Sequence, residues 1–572
     1  MNKNSLFTLF VLFWLGLGWV AVILAIAGFF YIPVLLFFIF GGIIFLAWWL
    51  AKNKELLKIN KETLTISAIA IFFILVFSHF TTATIFSGRD QGSLSEAAIR
   101  LAQNHRLEFS TPISQEFFKI YGPGKALNFP GFDYTKNGQL ISQFPVGYTS
   151  WLAMFYSFFK LKGLIVANSI ALFIFFLSFF LLAKEILSRK SAYFVFALAL
   201  TSFIFSWFFK FTLSENLALA LLWFGIWQFI LFLKNSEKLN FLFFLLSFGL
   251  LLFVRIEAWA FLAVALFILL TKYKGQAIKV IGKASILLLV AIILIYILGI
   301  WHNATPLLEP IKGFLKPFIA SSSSSEDSDT FTNETGHALR ILWNYGLLDY
   351  IIFGLLGFLL ILKSNRLSRA IPFLIVLPSF IYLIEPNISA DHPWMLRRFV
   401  FSIIPVSVLY AVYFFQTLLA KRPIVYYFVL TSFLVINFIV FIPYLPFSPH
   451  ENLLTQAEHI SQNFTSEDLI LVDRLATGDG WSMMTGPISF IFGKQAAYFF
   501  NLKDLDRIDL SKFSNIYFMI PDSNLDFYKV LSPKLVPVKD YKIENDILIS
   551  AGNELPIPQK LETFGKIYLL NK

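Results

Sequence analysis

The chain has 572 residues, of which 57% are hydrophobic and only 14% are charged, and its mean hydropathy is +0.71. Soluble domains have about 45–50% apolar and about 25% charged residues, so this composition excludes a disordered protein, a coiled coil and an ordinary cytosolic enzyme. It predicts a polytopic α-helical membrane protein. The absence of cysteine excludes disulfides, thiolate metal sites and a catalytic thiol.

The net charge of +11 is unevenly distributed. Residues 449–572 contain 12 Lys and Arg against 16 Asp and Glu, whereas the preceding residues contain 34 against 19. Cytoplasmic loops of membrane proteins carry an excess of Lys and Arg. The basic part of the chain therefore indicates membrane orientation and not nucleic-acid binding.

Thirteen apolar segments approach or reach the length of about 17–25 residues that a membrane-spanning helix needs. The run 239–271 is too long for one crossing, and Arg255 and Glu257 interrupt it, so we predict two helices with a turn between them. In chain order, the segments are 6–28, 31–51, 63–86, 163–187, 191–209, 213–233, 239–254, 256–271, 284–301, 347–362, 371–386, 399–418 and 424–445.

The apolar stretch 146–160 is only about 15 residues long, which favours a helix at the membrane interface over a crossing. If it does not cross, the basic clusters around Lys58, Lys190 and Lys272 share one side of the membrane, as the positive-inside rule requires. The sequence thus predicts 13 crossings of the plasma membrane, with the N-terminus cytoplasmic and the C-terminus outside.

This topology divides the chain into three parts. Residues 1–60 form an N-terminal transmembrane hairpin and a cytoplasmic loop, and residues 61–448 form the main membrane module. That module carries a large external loop at 87–162 and a second one at 302–345. Residues 449–572 alternate strand-like runs such as LILV (469–472) with polar helical stretches, which predicts a small extracytoplasmic α/β domain.

One motif directly follows the third apolar segment: Ser87-Gly88-Arg89-Asp90-Gln91-Gly92. A carboxylate in this position lies at the outer membrane boundary, where lipid-borne substrates present their head groups. Partial desolvation there would raise the pKa of Asp90 and make it a better general base. The structural alternative is that Asp90 caps the following helix or pairs with Arg89.

A second motif, from Asp391 to Phe399 (DHPWMLRRF), stands at the predicted outer end of the twelfth segment. Two arginines at an external helix end run against the charge rule. Their planar forks suit phosphate, so Arg397 and Arg398 with His392 could bind a pyrophosphate or a phosphodiester. The alternative is anchoring, with Trp394 in the aromatic belt and the arginines reaching lipid head groups.

Other charged residues at the outer face are weaker candidates. Glu215 opens a predicted helix, where a carboxylate often compensates the helix dipole. Arg255 and Glu257 would not face each other on one helix, which leaves Arg255 as a candidate functional cation. Five residues of the first external loop are candidates for acceptor binding or for contacts around the site, or are simply solvated: Arg89, His105, Glu116, Lys125 and Asp133.

Together these features resemble the polyprenyl-phosphate-dependent glycosyltransferases of the GT-C fold, which include protein O-mannosyltransferases and bacterial aminoarabinose transferases. The resemblance covers roughly residues 60–450, and the first two helices look like an added hairpin. The sequence most resembles the bacterial and archaeal branch of this family. The resemblance rests on four motifs: GRDQGSLSEAAIRLA (88–102), SQFPVGYTSWLAMFYSFF (142–159), SEN (214–216) and HPWMLRRF (392–399).

By this resemblance Asp90 occupies the family's catalytic acidic position. The family often has an acidic pair there, and Gln91 in this sequence leaves a second carboxylate, and any divalent metal, without support. The implied reaction transfers a sugar from a polyprenyl phosphate to an acceptor hydroxyl with inversion and requires no cofactor. The residues implied to bind the donor phosphate are Arg397, Arg398, His392 and Arg255.

The implied partners are the lipid-linked donor, a lipid, glycan or protein acceptor, and membrane lipids, but no nucleic acid. The C-terminal domain would bind the acceptor or a partner. The main alternative is a transporter or a flippase of glycolipid intermediates, although such proteins build sites at mid-membrane from repeated halves, and no repeat is visible here. A non-catalytic scaffold would leave the placement of Asp90 and the two arginines unexplained.

Overall fold

A computed structural model gives the fold of most of the chain. The residues it describes are 5–53, 60–273, 280–302, 331–332, 335–364, 367–386, 388–550 and 552–571. Most of the predicted second external loop, residues 303–330, lies outside this described part.

The described part contains 21 α-helices and ten strands. The helices are α1 (Ser5–Ala27), α2 (Ile32–Lys52), α3 (Lys61–His79), α4 (Asp90–Asn104), α5 (Pro112–Tyr121), α6 (Val146–Phe159), α7 (Leu161–Ile186), α8 (Arg189–Leu200), α9 (Phe203–Phe209), α10 (Ser214–Asn235), α11 (Lys238–Leu252), α12 (Ala258–Tyr273), α13 (Lys283–Trp301), α14 (Thr335–Asn344), α15 (Leu348–Lys363), α16 (Ile371–Val376), α17 (Arg397–Val400), α18 (Ile403–Leu418), α19 (Pro423–Tyr444), α20 (Leu453–Ser461) and α21 (Thr485–Phe490). The strands are β1 (Gly124–Lys125), β2 (Phe132–Tyr134), β3 (Leu140–Ser142), β4 (Phe331–Thr332), β5 (Ile388–Ser389), β6 (Leu469–Val472), β7 (Gln495–Tyr498), β8 (Ile516–Pro521), β9 (Leu535–Ile547) and β10 (Gln559–Leu570).

Seven of the described helices are long and apolar enough to span a membrane: α1, α2, α3, α7, α10, α13 and α19. Three bent pairs also qualify when each pair counts as one span: α8 with α9, α14 with α15, and Trp394–Val400 with α18. Three shorter apolar helices, α11, α12 and Ile371–Leu383, match the remaining predicted segments. The chain is an integral membrane protein, and the number of thirteen crossings stays a prediction.

The helices differ sharply in how much protein surrounds them. The apolar stretch of α10 is 94% buried, because α7 and α11 pack along it, whereas that of α2 is only 6% buried. A helix that is hydrophobic all round and exposed is typical of a lipid contact. The hairpin of α1 and α2 therefore lies at the edge of the helix bundle, with α2 as its outward-facing helix.

The stretch 146–160 is helical, as predicted, and it forms α6, which is surrounded by other helices of the protein. Most of its side chains are buried against α1, α4 and α7. Polar groups on it find partners inside the bundle: the Tyr148 hydroxyl donates to Asn168 at 2.7 Å, and the Trp151 indole N–H donates to the Ala167 carbonyl at 3.2 Å. Whether α6 crosses the membrane stays a prediction.

The first loop and the C-terminal residues form one lobe, which we call the external lobe after the topology predicted from the sequence. In the loop, β1, β2 and β3 make a small antiparallel sheet beside α4 and α5. The C-terminal sheet has the strand order β7-β6-β8-β10-β9, in which β6 runs parallel to both β7 and β8. This sheet with its flanking helices confirms the small C-terminal α/β fold.

The two halves of this external lobe share a hydrophobic core. Phe117 and Phe132 of the loop belong to the same buried cluster as Leu471 and Phe518 of the C-terminal sheet. Backbone pairing continues the contact, since Ser87 bridges to Met483. The C-terminal residues thus fold onto the loop that carries Asp90.

Candidate active site

Asp90 is the first residue of α4, at the point where the extended chain leaving α3 turns into the external loop. This turn is tight: a Cβ at Gly92 would lie 1.8 Å from the Phe86 carbonyl oxygen, so only glycine fits there. Asp90 does not cap α4, because Arg89 occupies the N-cap position and no side chain caps the helix. The structural alternative of a capping role is therefore wrong, and the alternative of a pair with Arg89 is wrong because Arg89 pairs with Asp391.

The carboxylate of Asp90 instead forms an ion pair with the guanidinium of Arg397. Arg397 is the first residue of α17, a single helical turn that precedes the 60° bend into α18. The Asp90 side chain keeps 38% of its surface accessible, while Arg397 keeps 12%. The structure thus brings the two motifs singled out in the sequence into direct contact.

Arg398 is the uncompensated cation of this site. It forms no ion pair within the described residues, and its Nε lacks a hydrogen-bond partner. Its guanidinium faces the ring of Tyr382 at 5.3 Å. A partly buried arginine without a counterion is costly, and it can take an anionic ligand without first breaking an ion pair.

A cluster of three charged side chains, Arg255, Glu215 and Glu257, is connected to Arg398 through Tyr382. Arg255 binds Glu215 (Nη1 to Oε1, 2.9 Å) and Glu257 (Nη2 to Oε1, 2.6 Å), and the Tyr382 hydroxyl donates to Glu257 at 2.7 Å. Both carboxylates are 1% exposed. The predicted turn at Arg255 and Glu257 is confirmed between α11 and α12, and in this turn the two side chains contact each other, which they would not do on one helix. Arg255 is consequently neutralised, unlike Arg398.

The electrostatics of Asp90 differ from the expectation. Burial raises the pKa of its carboxyl, but the ion pair and hydrogen bond with Arg397, together with the nearby charges of Arg398 and Arg255, outweigh burial. The pKa of Asp90 is therefore lowered from its ordinary value. The prediction of a raised pKa is wrong for this state because it ignored the arginines that the fold brings to Asp90.

Arg89 points away from Asp90, toward the C-terminal residues. It pairs with Asp391, and its guanidinium lies 4.7 Å from the ring of Trp394 and 4.5 Å from that of Trp481. A small cavity of about 50 Å³ adjoins this cluster, and Arg89, Asp391, Trp394 and Trp481 are among its lining residues. Arg89 thus connects the start of α4 to the C-terminal sheet domain.

Arginines and tryptophans alternate across the site. The Trp394 ring also lies 4.7 Å from the Arg397 guanidinium, and the Trp481 ring lies 5.2 Å from that of Arg474. We name the series Arg397, Trp394, Arg89, Trp481 and Arg474 the arginine–tryptophan ladder. Such contacts stabilise by about 0.5–2 kcal/mol each. The ladder leads from the partner of Asp90 to the surface of the C-terminal domain.

The other predicted site residues have structural contacts. Both ring nitrogens of His392 are engaged, with the Tyr345 hydroxyl at 3.0 Å and the Gly552 carbonyl at 2.9 Å, and burial lowers its pKa. This histidine therefore offers no free, charged nitrogen to a phosphate. The proposed grouping of His392 with the two arginines as a phosphate ligand is not supported by these contacts.

Three residues of the first loop lie outside the Asp90 cluster. Glu116 is fully buried and binds Lys119 at 2.7 Å and Lys512 of the C-terminal domain at 2.6 Å. Lys125 is exposed on β1, and Asp133 on β2 accepts a hydrogen bond from Gln143 at 2.9 Å. Glu116 therefore fastens the loop to the C-terminal domain.

Sequence reasoning missed Asp391, Tyr382 and Trp481 as parts of the site. Asp391 stood within the quoted motif and could have been paired with Arg89 by charge. Tyr382 and Trp481 carried no local signal, because their importance depends on chain segments that meet only in the fold. Among the described residues, no group of three or more His, Cys, Asp or Glu side chains converges to hold a metal.

No family model matches this chain, and no curated protein matches its sequence. Solved structures of one protein are similar in fold. ArnT from Cupriavidus metallidurans in the apo state matches with a TM-score of 0.55 and 10% identity over 88% of this chain and 97% of that chain. The same protein bound to undecaprenyl phosphate matches with a TM-score of 0.52, at the same identity and coverage. ArnT is a GT-C enzyme, and the present chain has the GT-C fold.

Proposed function

We propose that this protein transfers a sugar from a polyprenyl-phosphate donor to an acceptor hydroxyl on the external face of the membrane. One observation carries the proposal: the carboxylate of Asp90 is paired with Arg397 beside the uncompensated Arg398. A proton acceptor and two phosphate-binding cations are thereby assembled at the mouth of a helix bundle. The undecaprenyl phosphate bound to ArnT supports a polyprenyl phosphate as the lipid class.

In the proposed reaction, the acceptor oxygen attacks the anomeric carbon from the side opposite the phosphate. The bond between that carbon and the phosphate oxygen breaks, and its electron pair leaves with the polyprenyl phosphate. The hydroxyl proton passes to Asp90, and the configuration inverts. Arg397 and Arg398 stabilise the charge on the departing phosphate, which is the kind of electrostatic contribution that dominates such sites.

Donor binding would also change the basicity of Asp90. In the structure, Arg397 holds the pKa of the Asp90 carboxyl below its ordinary value, whereas burial acts in the opposite direction. A donor phosphate that engages Arg397 competes with Asp90 for this cation. Once the pair is loosened, burial raises the pKa of Asp90, and the carboxylate becomes a stronger base when the donor is in place.

The buried charges behind the site have a positioning role in this proposal. Arg255 is held by Glu215 and Glu257, and Glu257 accepts from Tyr382, whose ring faces Arg398. Removal of Arg255 would leave both buried carboxylates without their shared counterion. These residues fix the place of Arg398 without touching the donor.

The test is transfer of labelled sugar from polyprenyl-phosphate sugars in membranes that contain wild type or Asp90→Asn. We expect Asp90→Asn to insert normally, to retain donor binding and to lose about 10²–10⁴ in rate, as loss of a general base does. Asp526→Asn, whose side chain is 87% exposed, is the matched control and should behave as wild type. Unchanged transfer by Asp90→Asn would contradict the proposal, and movement of the intact glycolipid without transfer would indicate a flippase.

A further inference from the structure

The C-terminal sheet has an open pocket of about 440 Å³ at the carboxyl ends of its parallel strands. Strands β6, β7 and β8 end at Val472, Tyr498 and Pro521, and the residues that follow them form the pocket wall. The chain passes from β6 to β7 on one side and then to β8 on the other. Ligands of α/β sheets bind at such switch points, and pockets of about 300–1,000 Å³ are typical of ligand sites.

Aromatic side chains dominate this pocket. Trp481, Tyr498, Phe500 and Phe527 line it. Tyr498 and Phe500 lie with ring centroids 5.2 Å apart at 31°, and Phe527 is 40% exposed. Exposed flat rings in a concave site match the apolar C–H faces of pyranose rings.

Polar groups are placed among these rings. The buried carboxylate of Asp473 accepts hydrogen bonds from the Asn524 side chain at 2.7 Å and the Tyr528 hydroxyl at 2.8 Å, which orients the Asn524 amide in the pocket wall. Arg474 forms no ion pair within the described residues, and only its Nε donates to a neighbour, the Gly480 carbonyl at 3.3 Å. A fixed amide and an exposed guanidinium between aromatic rings suit the hydroxyl and ring oxygens of a saccharide.

The pocket is connected to the Asp90 site through shared side chains. Trp481 is one wall of the pocket, and its indole also contacts Arg89, the residue that precedes Asp90. The arginine–tryptophan ladder continues from Arg89 through Trp394 to Arg397. A ligand that packs on Trp481 therefore lies at the outer end of a series of contacts that ends on the partner of Asp90.

We propose that this pocket of the C-terminal domain binds the saccharide part of a glycan acceptor and holds it for transfer at Asp90. The inference rests on the proposed function and adds the acceptor class to it. It assigns Phe527 and Arg474 to acceptor binding, at a site separate from the donor arginines.

The test uses the full-length protein, because the C-terminal sheet shares its core with the first loop. The probe is the total glycan fraction of the producing cell's envelope, end-labelled with a fluorophore. Capture of this fraction on immobilised protein is compared for wild type, Phe527→Ala, Arg474→Gln and Phe564→Ala. Phe564 is 53% exposed on β10, outside the pocket, and serves as the matched control. We expect the two pocket variants to raise the half-saturating glycan concentration about tenfold, equivalent to about 1.4 kcal/mol, and the control to leave it unchanged.

Donor hydrolysis separates this inference from the proposed function. Release of free sugar into water needs Asp90 and the donor but no acceptor, so Phe527→Ala, which lies outside the arginine–tryptophan ladder, should hydrolyse donor as wild type does. Transfer is measured for both pocket variants. Their transfer should need more glycan at an unchanged maximal rate. Absence of capture by wild type, or equal capture by the pocket variants, overturns the inference. Capture that survives periodate but not protease treatment of the envelope fraction also overturns it, in favour of a peptide acceptor. If the wild-type protein does not hydrolyse the donor, that result would instead contradict the proposed function.

Discussion

The carboxylate of Asp90 pairs with the guanidinium of Arg397 although 307 positions separate them in the chain. One belongs to the start of the first external loop, and the other to the bent entrance of α18. Their contact places a proton acceptor directly beside two adjacent arginines, of which Arg397 has a counterion and Arg398 forms no ion pair in the part of the chain that the structure describes. The predictions below follow from this asymmetry and from the contacts that surround it.

Arg398→Gln should weaken donor binding without unfolding the protein. Arg398 forms no ion pair within the described residues, so its replacement leaves none of their carboxylates unpaired and relieves a partly buried charge. Because phosphate contacts exist in the ground state as well as in the transition state, we expect a higher KM for the donor together with a lower kcat. Steady-state kinetics over a donor series checks this. An unchanged KM and kcat would remove Arg398 from the donor site.

Arg397→Gln should shift the pH dependence of transfer. In the wild type, burial raises the pKa of Asp90 and Arg397 with its neighbours lowers it, with a net decrease. Loss of Arg397 removes the largest opposing contribution, so the pKa of Asp90 rises. Since the base must be unprotonated, the acidic limb of the pH–rate profile should move to higher pH. A profile that keeps its limb would show that Asp90 does not titrate in the reaction.

Asp391→Asn should destabilise the external lobe. Arg89 and Asp391 expose only 7% and 13% of their side chains, and the substitution leaves the Arg89 charge unpaired. Breaking a buried pair from one side costs about 3–5 kcal/mol. Thermal unfolding in detergent, followed by near-UV circular dichroism, should show a lower Tm. The exposed Asp526→Asn serves again as control and should keep the wild-type Tm.

Contact between the first loop and the C-terminal domain should weaken in acid. Burial raises the pKa of Glu116, but hydrogen bonds from Lys119, Lys512 and the Asp509 amide lower it overall. A carboxyl whose folded pKa is depressed stabilises above its unfolded value of about 4.3 and loses that contribution as the pH falls through the folded value. Limited proteolysis between pH 7 and 3 should show the lobe opening in acid. The free energy of unfolding of Glu116→Gln should be about 1–3 kcal/mol lower than that of wild type at neutral pH, and this variant should lose part of the acid sensitivity. If variant and wild type are equally sensitive to acid, the sensitivity comes from other groups.

Membrane orientation can be tested with single cysteines, since the chain has none of its own. Lys61→Cys and Lys190→Cys should react with an impermeant maleimide only from the cytoplasm, and Lys125→Cys and Lys529→Cys only from outside. Labelling of Lys61→Cys and Lys190→Cys from opposite sides would mean that α6 crosses the membrane. The predicted topology of thirteen crossings would then be wrong from α6 onward.

Local sequence patterns predicted the helices well, because each one needs only a run of apolar side chains. The break at Arg255 and Glu257, the helix at 146–160 and the C-terminal α/β fold all follow from such runs. The motifs around Asp90 and Arg397 were found because charges at an apolar boundary are unusual in a single stretch of sequence.

Pairing between distant residues could not be predicted in the same way. The lowered pKa of Asp90 depends on Arg397, and the compensation of the Arg255 charge depends in part on Glu215, 40 positions earlier. The Trp481 contact with Arg89 depends on how the C-terminal sheet folds onto the loop. These features arise from the tertiary fold, and no local spacing encodes them.

The arginine–tryptophan ladder also restricts how such proteins can be recombined. Trp481 and Arg474 belong to the C-terminal domain, Arg89 to the first loop, and Trp394 and Arg397 to the approach to α18. A chimera that received only a foreign C-terminal domain would leave Arg89 without one of its two aromatic neighbours and Glu116 without Lys512. Exchange of specificity between relatives should therefore require that the first loop and the C-terminal domain be transplanted together.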